Sequence, residues 1–89
     1  MTTETVRIVN KLGLHARPAA QLVTTATRFQ SEVFFIKEEL RVNGKSIMGV
    51  MMLAAEKGSL LTIEATGPDE VEAVAALAEV IASRFSEIE

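Results

Sequence analysis

Leu12-Gly13-Leu14-His15-Ala16-Arg17-Pro18-Ala19-Ala20 contains the only histidine of the chain and marks the point where a helical pattern begins. Proline is tolerated in the first turn of a helix, so His15 is predicted to lie at a helix N-terminus or one residue before it. The free N–H groups and the positive dipole end at that position attract anions, phosphate included. Imidazole can act as a nucleophile, and the guanidinium of Arg17 can bind phosphate oxygens. The segment therefore indicates a histidine that carries a phosphoryl group.

Each of these side chains also has a plainer interpretation. A lone histidine at this place is more often a surface residue that caps a helix, and a lone arginine is usually a solvated charge. The close spacing of His15, Arg17 and Pro18 favours the functional interpretation, because it sets a nucleophile, an anion site and a phosphate-binding cation side by side.

The composition is that of one small domain spanning residues 1–89. Hydrophobic residues make up 48% of the chain, which is ample for a packed core. The absence of cysteine excludes disulfides and thiolate metal sites and fits a reducing cytosol. Residues 1–7 lack the apolar run of a signal peptide, and no segment approaches the roughly 20 apolar residues of a membrane span. We expect a cytoplasmic protein that does not insert into membranes.

Charge is distributed unevenly along the chain. Residues 1–57 carry eight Lys and Arg against five acids, a local charge of +3, and residues 58–89 carry a local charge of −6. The basic part includes His15, which suits an acidic protein partner, although a mixed solvated surface explains the same charges. Nucleic acid is a poor candidate partner, because the chain is acidic overall and its four aromatic residues, all Phe, offer few stacking platforms.

Hydrophobic periodicity predicts seven elements in the order β-α-β-β-α-β-α. Alternation of polar and apolar residues indicates the strands, and apolar residues at helical spacing indicate the helices. Glu38-Glu39 is predicted to form a tight turn between two strands. The predicted strands are Thr5–Val9, Glu32–Lys37, Leu40–Val42 and Leu61–Thr66, and the predicted helices are Ala16–Thr27, Ile47–Leu53 and Glu70–Phe85.

Four strands without the long crossovers of a doubly wound fold favour an α+β architecture. We expect a four-stranded, mostly antiparallel sheet with three helices covering one face, which makes two layers. The last helix is opened by Gly67-Pro68-Asp69-Glu70 and has acids in its first turn, as the helix dipole prefers. Its predicted buried face is Val71, Val74, Ala75, Ala78, Ile81, Ala82 and Phe85.

Ser46 precedes the short middle helix and is a favoured N-cap residue. A phosphate on its hydroxyl would meet a helix N-terminus, so the modification need not unfold the domain. The helix is apolar nearly all the way round, which leaves two interpretations for Ile47, Met48 and Met51. They are either ordinary core residues or an apolar patch offered to a partner.

Three segments resemble one known family. Residues 13–19, Gly-Leu-His-Ala-Arg-Pro-Ala, are similar to the phosphohistidine signature of the HPr family, the histidine-containing phosphocarriers of the bacterial phosphoenolpyruvate-dependent sugar phosphotransferase system. Residues 43–51 resemble the family's regulatory-serine segment, and residues 65–70 resemble its entry to the last helix. The resemblance covers essentially the whole chain and implies the family's open-faced β-sandwich fold.

The resemblance also implies a mechanism. Nδ1 of His15 would accept a phosphoryl group from phosphorylated enzyme I and pass it to sugar-specific enzyme II A components, with Arg17 stabilising the phosphate. The protein would be a phosphoryl carrier and not an enzyme with its own substrate pocket. The sequence indicates neither a cofactor nor a metal cluster, and it has no paired catalytic carboxylates or glycine-rich nucleotide loop. A carrier must offer the same face to donor and acceptor in turn, so we expect a monomer.

A second set of partners follows from the resemblance. Ser46 would be the target of an HPr kinase/phosphorylase, and the modified form would act on transcriptional regulators of carbon metabolism. The family's docking surface beside the histidine would be formed here by Ile47, Met48 and Met51, joined by Leu14 and Ala20.

Three other functions stay open at this point. The chain could be a carrier of the nitrogen-related phosphotransferase branch (NPr type), an HPr-like regulatory module that acts only through Ser46, or a small interaction domain without phosphotransfer. The regulatory modules typically lack the histidine that is present here. The chain departs from the family pattern at Met52, where a small polar residue is common, and at Ala54-Ala55, where a glycine-containing pair is common.

Overall fold

The computed structural model describes residues 1–86, so residues 87–89 of the predicted domain lie outside the described part. The elements follow the predicted order β-α-β-β-α-β-α and end in a short 3-10 turn. Their bounds are β1 Thr2–Arg7, α1 Ala16–Thr27, β2 Glu32–Lys37, β3 Leu40–Asn43, α2 Ile47–Met52, β4 Leu60–Thr66, α3 Glu70–Ala82 and the 3-10 turn Arg84–Ser86.

The four strands form one sheet in the order β1-β4-β2-β3, and every pair is antiparallel. Val6 pairs with Leu61 across β1 and β4, and Phe35 pairs with Ile63 across β2 and β4. Lys37 pairs with Leu40, which leaves Glu38-Glu39 as the predicted two-residue turn. The predicted α+β, open-faced two-layer fold is therefore confirmed.

The core lies between one face of the sheet and the helices. Leu61, Ile63 and Ala65 alternate toward it from β4, and the largest buried side chains include Phe35 and Phe85. One apolar face of α1 is buried in the core. Its buried apolar residues include Ala19, Leu22, Val23 and Ala26.

The loop between α1 and β2 is fixed to the start of α3 by one carboxylate. Asp69 accepts hydrogen bonds from the Ser31 hydroxyl at 2.5 Å and from the backbone N–H groups of Gln30 and Ser31, both at 2.9 Å. The Ser31 hydroxyl contributes most to holding the pKa of Asp69 below its usual value, because these donors favour the ionised form. This contact ties the loop that follows α1 to the N-terminus of α3.

Two sequence predictions about these elements are wrong in part. The first strand is Thr2–Arg7 and not Thr5–Val9, because its partner β4 runs to Thr66 and pairs with Thr2 and Thr3 as well. In α3, Val71 is 61% exposed and Ala75 and Ala82 are also exposed.

The face of α3 that packs on the sheet differs in part from the predicted one. Ala73, Val74, Leu77 and Ile81 are the buried ones, so Val74 and Ile81 were predicted and Ala73 and Leu77 were not. Nearly every residue in this helix is apolar, so the sequence marks no single stripe and tertiary packing decides its rotation. No helix among residues 1–86 is long and apolar enough to cross a membrane.

Candidate functional site

His15 is the N-cap residue of α1, at the position that the sequence predicts. Its backbone is extended, with φ −82° and ψ −172°, and its carbonyl oxygen accepts the first helical hydrogen bond from Ala19 N–H at 3.0 Å. The N–H groups of Ala16 and Arg17 belong to the first turn, where a helix provides no acceptor for them. Pro18 follows and has no N–H group. His15 itself is half-buried.

The first turn of α1 is electrostatically suited to an anion. Arg17 is exposed there, and the turn contains no acidic residue. The helix dipole adds a partial positive charge at the same end. Two backbone donors, a guanidinium and an imidazole therefore share one helix end, which is what binding a phosphoryl group on the imidazole requires.

A buried side chain fixes the loop that leads to His15. Asn10 is fully buried, and its Nδ2 donates to the carbonyl oxygen of Gly13 at 2.8 Å. The same oxygen accepts the backbone N–H of His15 at 3.0 Å. The sequence analysis missed the anchoring role of Asn10, because nothing in the local pattern marks which polar loop residue is buried.

The loop that leads to His15 also packs against the segment that follows α2. Leu14 N–H donates to the carbonyl oxygen of Ala55 at 2.9 Å, and Gly13 adopts φ +68° with no room for a β-carbon against Ala55. A depression of about 250 Å³ opens at this junction, lined by Leu12, Leu14, His15, Ala54, Ala55 and Glu56. The fold therefore brings the end of α2 next to His15.

Ser46 caps α2 as predicted. Its Oγ accepts the backbone N–H of Gly49 at 3.1 Å, and the residue itself is half-buried. Only Val50 of this helix is buried. We call its exposed apolar residues the α2 patch, which consists of Ile47, Met48, Met51 and Met52.

The predicted docking residues differ in how far their side chains are exposed. Ile47, Met48 and Met51 are 44%, 74% and 41% exposed, so the core interpretation of these three is wrong. Leu14 is only 5% exposed and packs in the core, so its side chain offers little surface to a partner. Ala20 is partly exposed on α1. Burial does not test docking itself, which stays a prediction.

The end of α2 carries a strained residue close to the site. Ala54 has φ +49°, a left-handed conformation that costs an L-residue about 1–2 kcal/mol. The carbonyl oxygens of Leu53 and Ala54 accept hydrogen bonds from Lys37 Nζ at 3.3 and 3.4 Å. The lysine thus caps the C-terminus of α2 and holds this turn in place.

Potential metal ligands are not clustered in the described part of the chain. Among residues 1–86, no three His, Cys, Asp or Glu residues lie close enough together to hold a metal ion.

The comparisons with known proteins all point to one family. The family profile described as the PTS HPr component phosphorylation site matches residues 2–83. The chain is 51% identical to the phosphocarrier protein HPr of Neisseria meningitidis serogroup A over 87 residues, which cover 98% of each chain.

Solved structures agree with this match. The crystal structure of HPr-C-His from Thermoanaerobacter tengcongensis has a TM-score of 0.96 and 46% identity, and the two chains cover each other completely. A crystal structure of an HPr dimer from the same organism has a TM-score of 0.79 and 47% identity, covering 98% of this chain and 100% of that one. The similarity therefore extends from the sequence of the site to the whole fold.

Proposed function

This chain belongs to the HPr family of phosphocarriers, and from that premise we propose that His15 accepts a phosphoryl group and passes it on. The lone pair of Nδ1 attacks phosphorus, an N–P bond forms, and the bond between phosphorus and the donor's leaving atom breaks. The second transfer repeats the step with this imidazole as the leaving group. Both steps take place at one nitrogen, so the carrier needs no substrate pocket of its own.

The protein's contribution is to position and stabilise the transferred group. In this proposal the N–H groups of Ala16 and Arg17 and the Arg17 guanidinium bind the phosphoryl oxygens, because they belong to the first turn of the helix that His15 caps. Phosphoryl transfer depends mainly on such electrostatic stabilisation and alignment. The observation that carries the proposal is the placement of His15 as the N-cap of a helix whose first turn contains Arg17 and no acid.

We propose phosphorylated enzyme I as the donor and enzyme II A components of the sugar branch as acceptors, all in the cytoplasm. The test is a relay: the chain is loaded by phosphoenolpyruvate and enzyme I, repurified, and mixed with a sugar-branch II A protein. Transfer of label to the II A protein, abolished by His15→Ala, is the expected result. Loading without any transfer to sugar-branch acceptors would contradict the assignment to that branch.

A carrier of the nitrogen branch is the main alternative. The two functions are distinguished by which enzyme I paralogue loads the chain faster. Loading rates are compared between a sugar-branch enzyme I and its nitrogen-branch paralogue at equal concentrations. We expect the sugar-branch enzyme to load the chain faster. The reverse preference would assign the chain to the NPr type. A regulator that acts only through Ser46 would not be loaded by either enzyme.

We propose that Ser46 is a regulatory phosphorylation site for an HPr kinase/phosphorylase. Its hydroxyl is half-buried and already engaged as the cap of α2, so a phosphate there would face the N-terminus of this helix and add negative charge beside the α2 patch. Incubation with a competent kinase and ATP should add one acid-stable phosphate. Ser46→Ala should abolish this increment and Ser59→Ala should retain it; modification of Ser46→Ala would reject the assignment.

The α2 patch is the docking surface that we propose for these partners, together with the partly exposed Ala20 of α1. Its apolar side chains lie on the helix whose end adjoins His15. Methionine is adaptable enough to pack against several different proteins, as a carrier with several partners requires. The expectation of a monomer stays a prediction, and sedimentation of the purified chain tests it against a dimer like that crystallised for its relative.

A further inference from the structure

Three of the four methionines of the chain lie within five residues on helix α2. Met48 is 74% exposed and Met52 is 67% exposed, and both belong to the α2 patch. Met1 lies next to β1 at one edge of the sheet, whereas α2 contacts β3 at the other edge. The chain therefore concentrates its thioether sulfur on one surface beside the candidate site.

Few other side chains compete for the same reactions. The chain contains no Cys, Trp or Tyr, so methionine is its only sulfur-containing residue. A two-electron oxidant that reaches this protein acts mainly on thioether sulfur, and susceptibility rises with exposure. Oxidation is accordingly directed to the α2 patch and to Met1.

We infer that the α2 patch is a reversible oxidation switch, in which peroxides convert its methionines to sulfoxides and thereby weaken partner docking. The inference rests on the proposed function, because it concerns the surface through which donor and acceptor approach His15. It adds a modification at Met48, Met51 and Met52 that is chemically independent of the phosphoryl group.

The chemistry of the switch balances with a peroxide and a thiol reductant. The sulfur lone pair attacks one peroxide oxygen, the O–O bond breaks, an S–O bond forms and the peroxide leaves as water. Sulfur loses two electrons and the peroxide gains two. In the reverse step the sulfoxide oxygen leaves as water while two thiols are oxidised to a disulfide.

The structure separates the side chains that oxidation changes from those that hold the helix in place. Val50 is fully buried, and Leu53, the C-cap residue, is nearly so; these two side chains anchor α2 to the core. A sulfoxide on an exposed methionine stays hydrated in the free protein, so the fold is kept. When a partner covers the patch, the sulfoxide oxygen must lose its water, which costs free energy unless it gains a hydrogen bond.

The test measures loading from phosphorylated enzyme I before and after treatment with hydrogen peroxide, with intact mass reporting the sulfoxides. We expect KM for the chain to rise roughly tenfold, equivalent to about 1.4 kcal/mol of binding, while kcat changes little. A thiol-dependent methionine sulfoxide reductase should restore the original KM. Circular dichroism of the oxidised protein should match that of the untreated one.

The matched control is the triple variant Met48→Leu, Met51→Leu and Met52→Leu, which retains Met1. The KM of each protein is compared only with its own value before peroxide treatment, so a change in the variant's basal loading rate does not affect the comparison. We expect the variant's KM to be insensitive to peroxide although Met1 is oxidised.

Three outcomes would overturn the inference. The first is an unchanged KM in the fully oxidised wild type. The second is an equal rise in KM in the triple variant, and the third is unfolding of the oxidised protein. A separate result identifies failure of the proposed function itself, namely that the untreated chain is not loaded at all.

Discussion

The backbone oxygen of Ala55 occupies the space that a β-carbon on Gly13 would need, and the Cα of Glu56 lies 2.9 Å from the same point. Gly13 also has φ +68°, a conformation that other L-residues adopt only at a cost. Two constraints thus meet at one residue, two positions before His15. The loop that carries the histidine is held by contact with the segment that follows α2.

Gly13→Ala should therefore destabilise the protein and impair the site together. We expect a loss of about 2–4 kcal/mol of unfolding free energy, from backbone strain and steric overlap combined, measured by urea denaturation. Loading of His15 by enzyme I should slow as well, because the loop must shift. Gly58→Ala is the control, since Gly58 has φ +93° but nothing within 4 Å of an added β-carbon. Equal losses in the two variants would contradict the role of the Ala55 contact.

Ala54→Gly is expected to act in the opposite direction. Ala54 has φ +49°, and glycine adopts that conformation without the penalty of a β-carbon. Part of the gain is offset by the greater freedom of glycine in the unfolded chain, so we expect a net stabilisation of roughly 0.5 kcal/mol. Thermal unfolding measures the change. Ala55→Gly should destabilise, because Ala55 is buried and has no positive φ; stabilisation by both substitutions would contradict this explanation.

Arg17→Ala should slow phosphoryl transfer with little effect on folding. Arg17 is exposed in the first turn of α1, so its loss removes no buried contact, and surface substitutions usually change stability by less than about 0.5 kcal/mol. We expect the loading rate to fall by roughly tenfold to a hundredfold, the effect of losing one charge-assisted contact of about 1.5–3 kcal/mol. Arg28→Ala at the other end of the same helix should load normally. Equal kinetics for the two variants would remove Arg17 from the mechanism.

Stability toward acid should depend on Glu70. Its carboxylate accepts the Thr2 hydroxyl at 2.6 Å, lies 3.0 Å from the amino nitrogen of Met1 and accepts Gly67 N–H at 3.2 Å. The Thr2 hydroxyl is the main cause that lowers the pKa of Glu70 from 4.5 to about 2. A carboxyl with a depressed pKa stabilises the fold above its unfolded value, and this contribution disappears as the pH falls from about 5 to 2.

Glu70→Gln should accordingly flatten the decline of unfolding free energy over that pH range. The stability of the variant relative to wild type should be lowest at neutral pH and should recover as acid is added. Urea unfolding at several pH values measures the slope. Glu72→Gln, two residues along the same helix, should leave the slope as in wild type; an unchanged slope in Glu70→Gln would contradict the assignment.

Much of this architecture could be predicted because local signals are strong at the element boundaries. Pro18 after His15 marks the start of α1, and the Ser46 hydroxyl marks the start of α2. The same signals predict the candidate site, since the histidine, the arginine and the helix end are adjacent in sequence. The two-residue turn between β2 and β3 followed from two β-rich runs separated by Glu38-Glu39.

Features that depend on contacts between distant segments could not be predicted from local sequence patterns. The rotation of α3 is set by packing against the sheet, because its sequence is apolar on most sides. The family resemblance implied that Leu14 belongs to the docking surface. Its N–H instead donates to the carbonyl oxygen of Ala55, which holds its backbone against a distant segment, and its side chain lies in the core. The anchoring of the loop by Asn10 also depends on burial, which no short pattern reports.

The most direct test of the central claim is the intact mass of the protein after incubation with phosphoenolpyruvate, Mg²⁺ and enzyme I, measured before and after brief acid treatment. We predict one phosphoryl increment that acid removes and that His15→Ala does not acquire, although the variant remains folded. An acid-labile increment on His15→Ala, or none on the wild type with an enzyme I that loads another carrier, would contradict it.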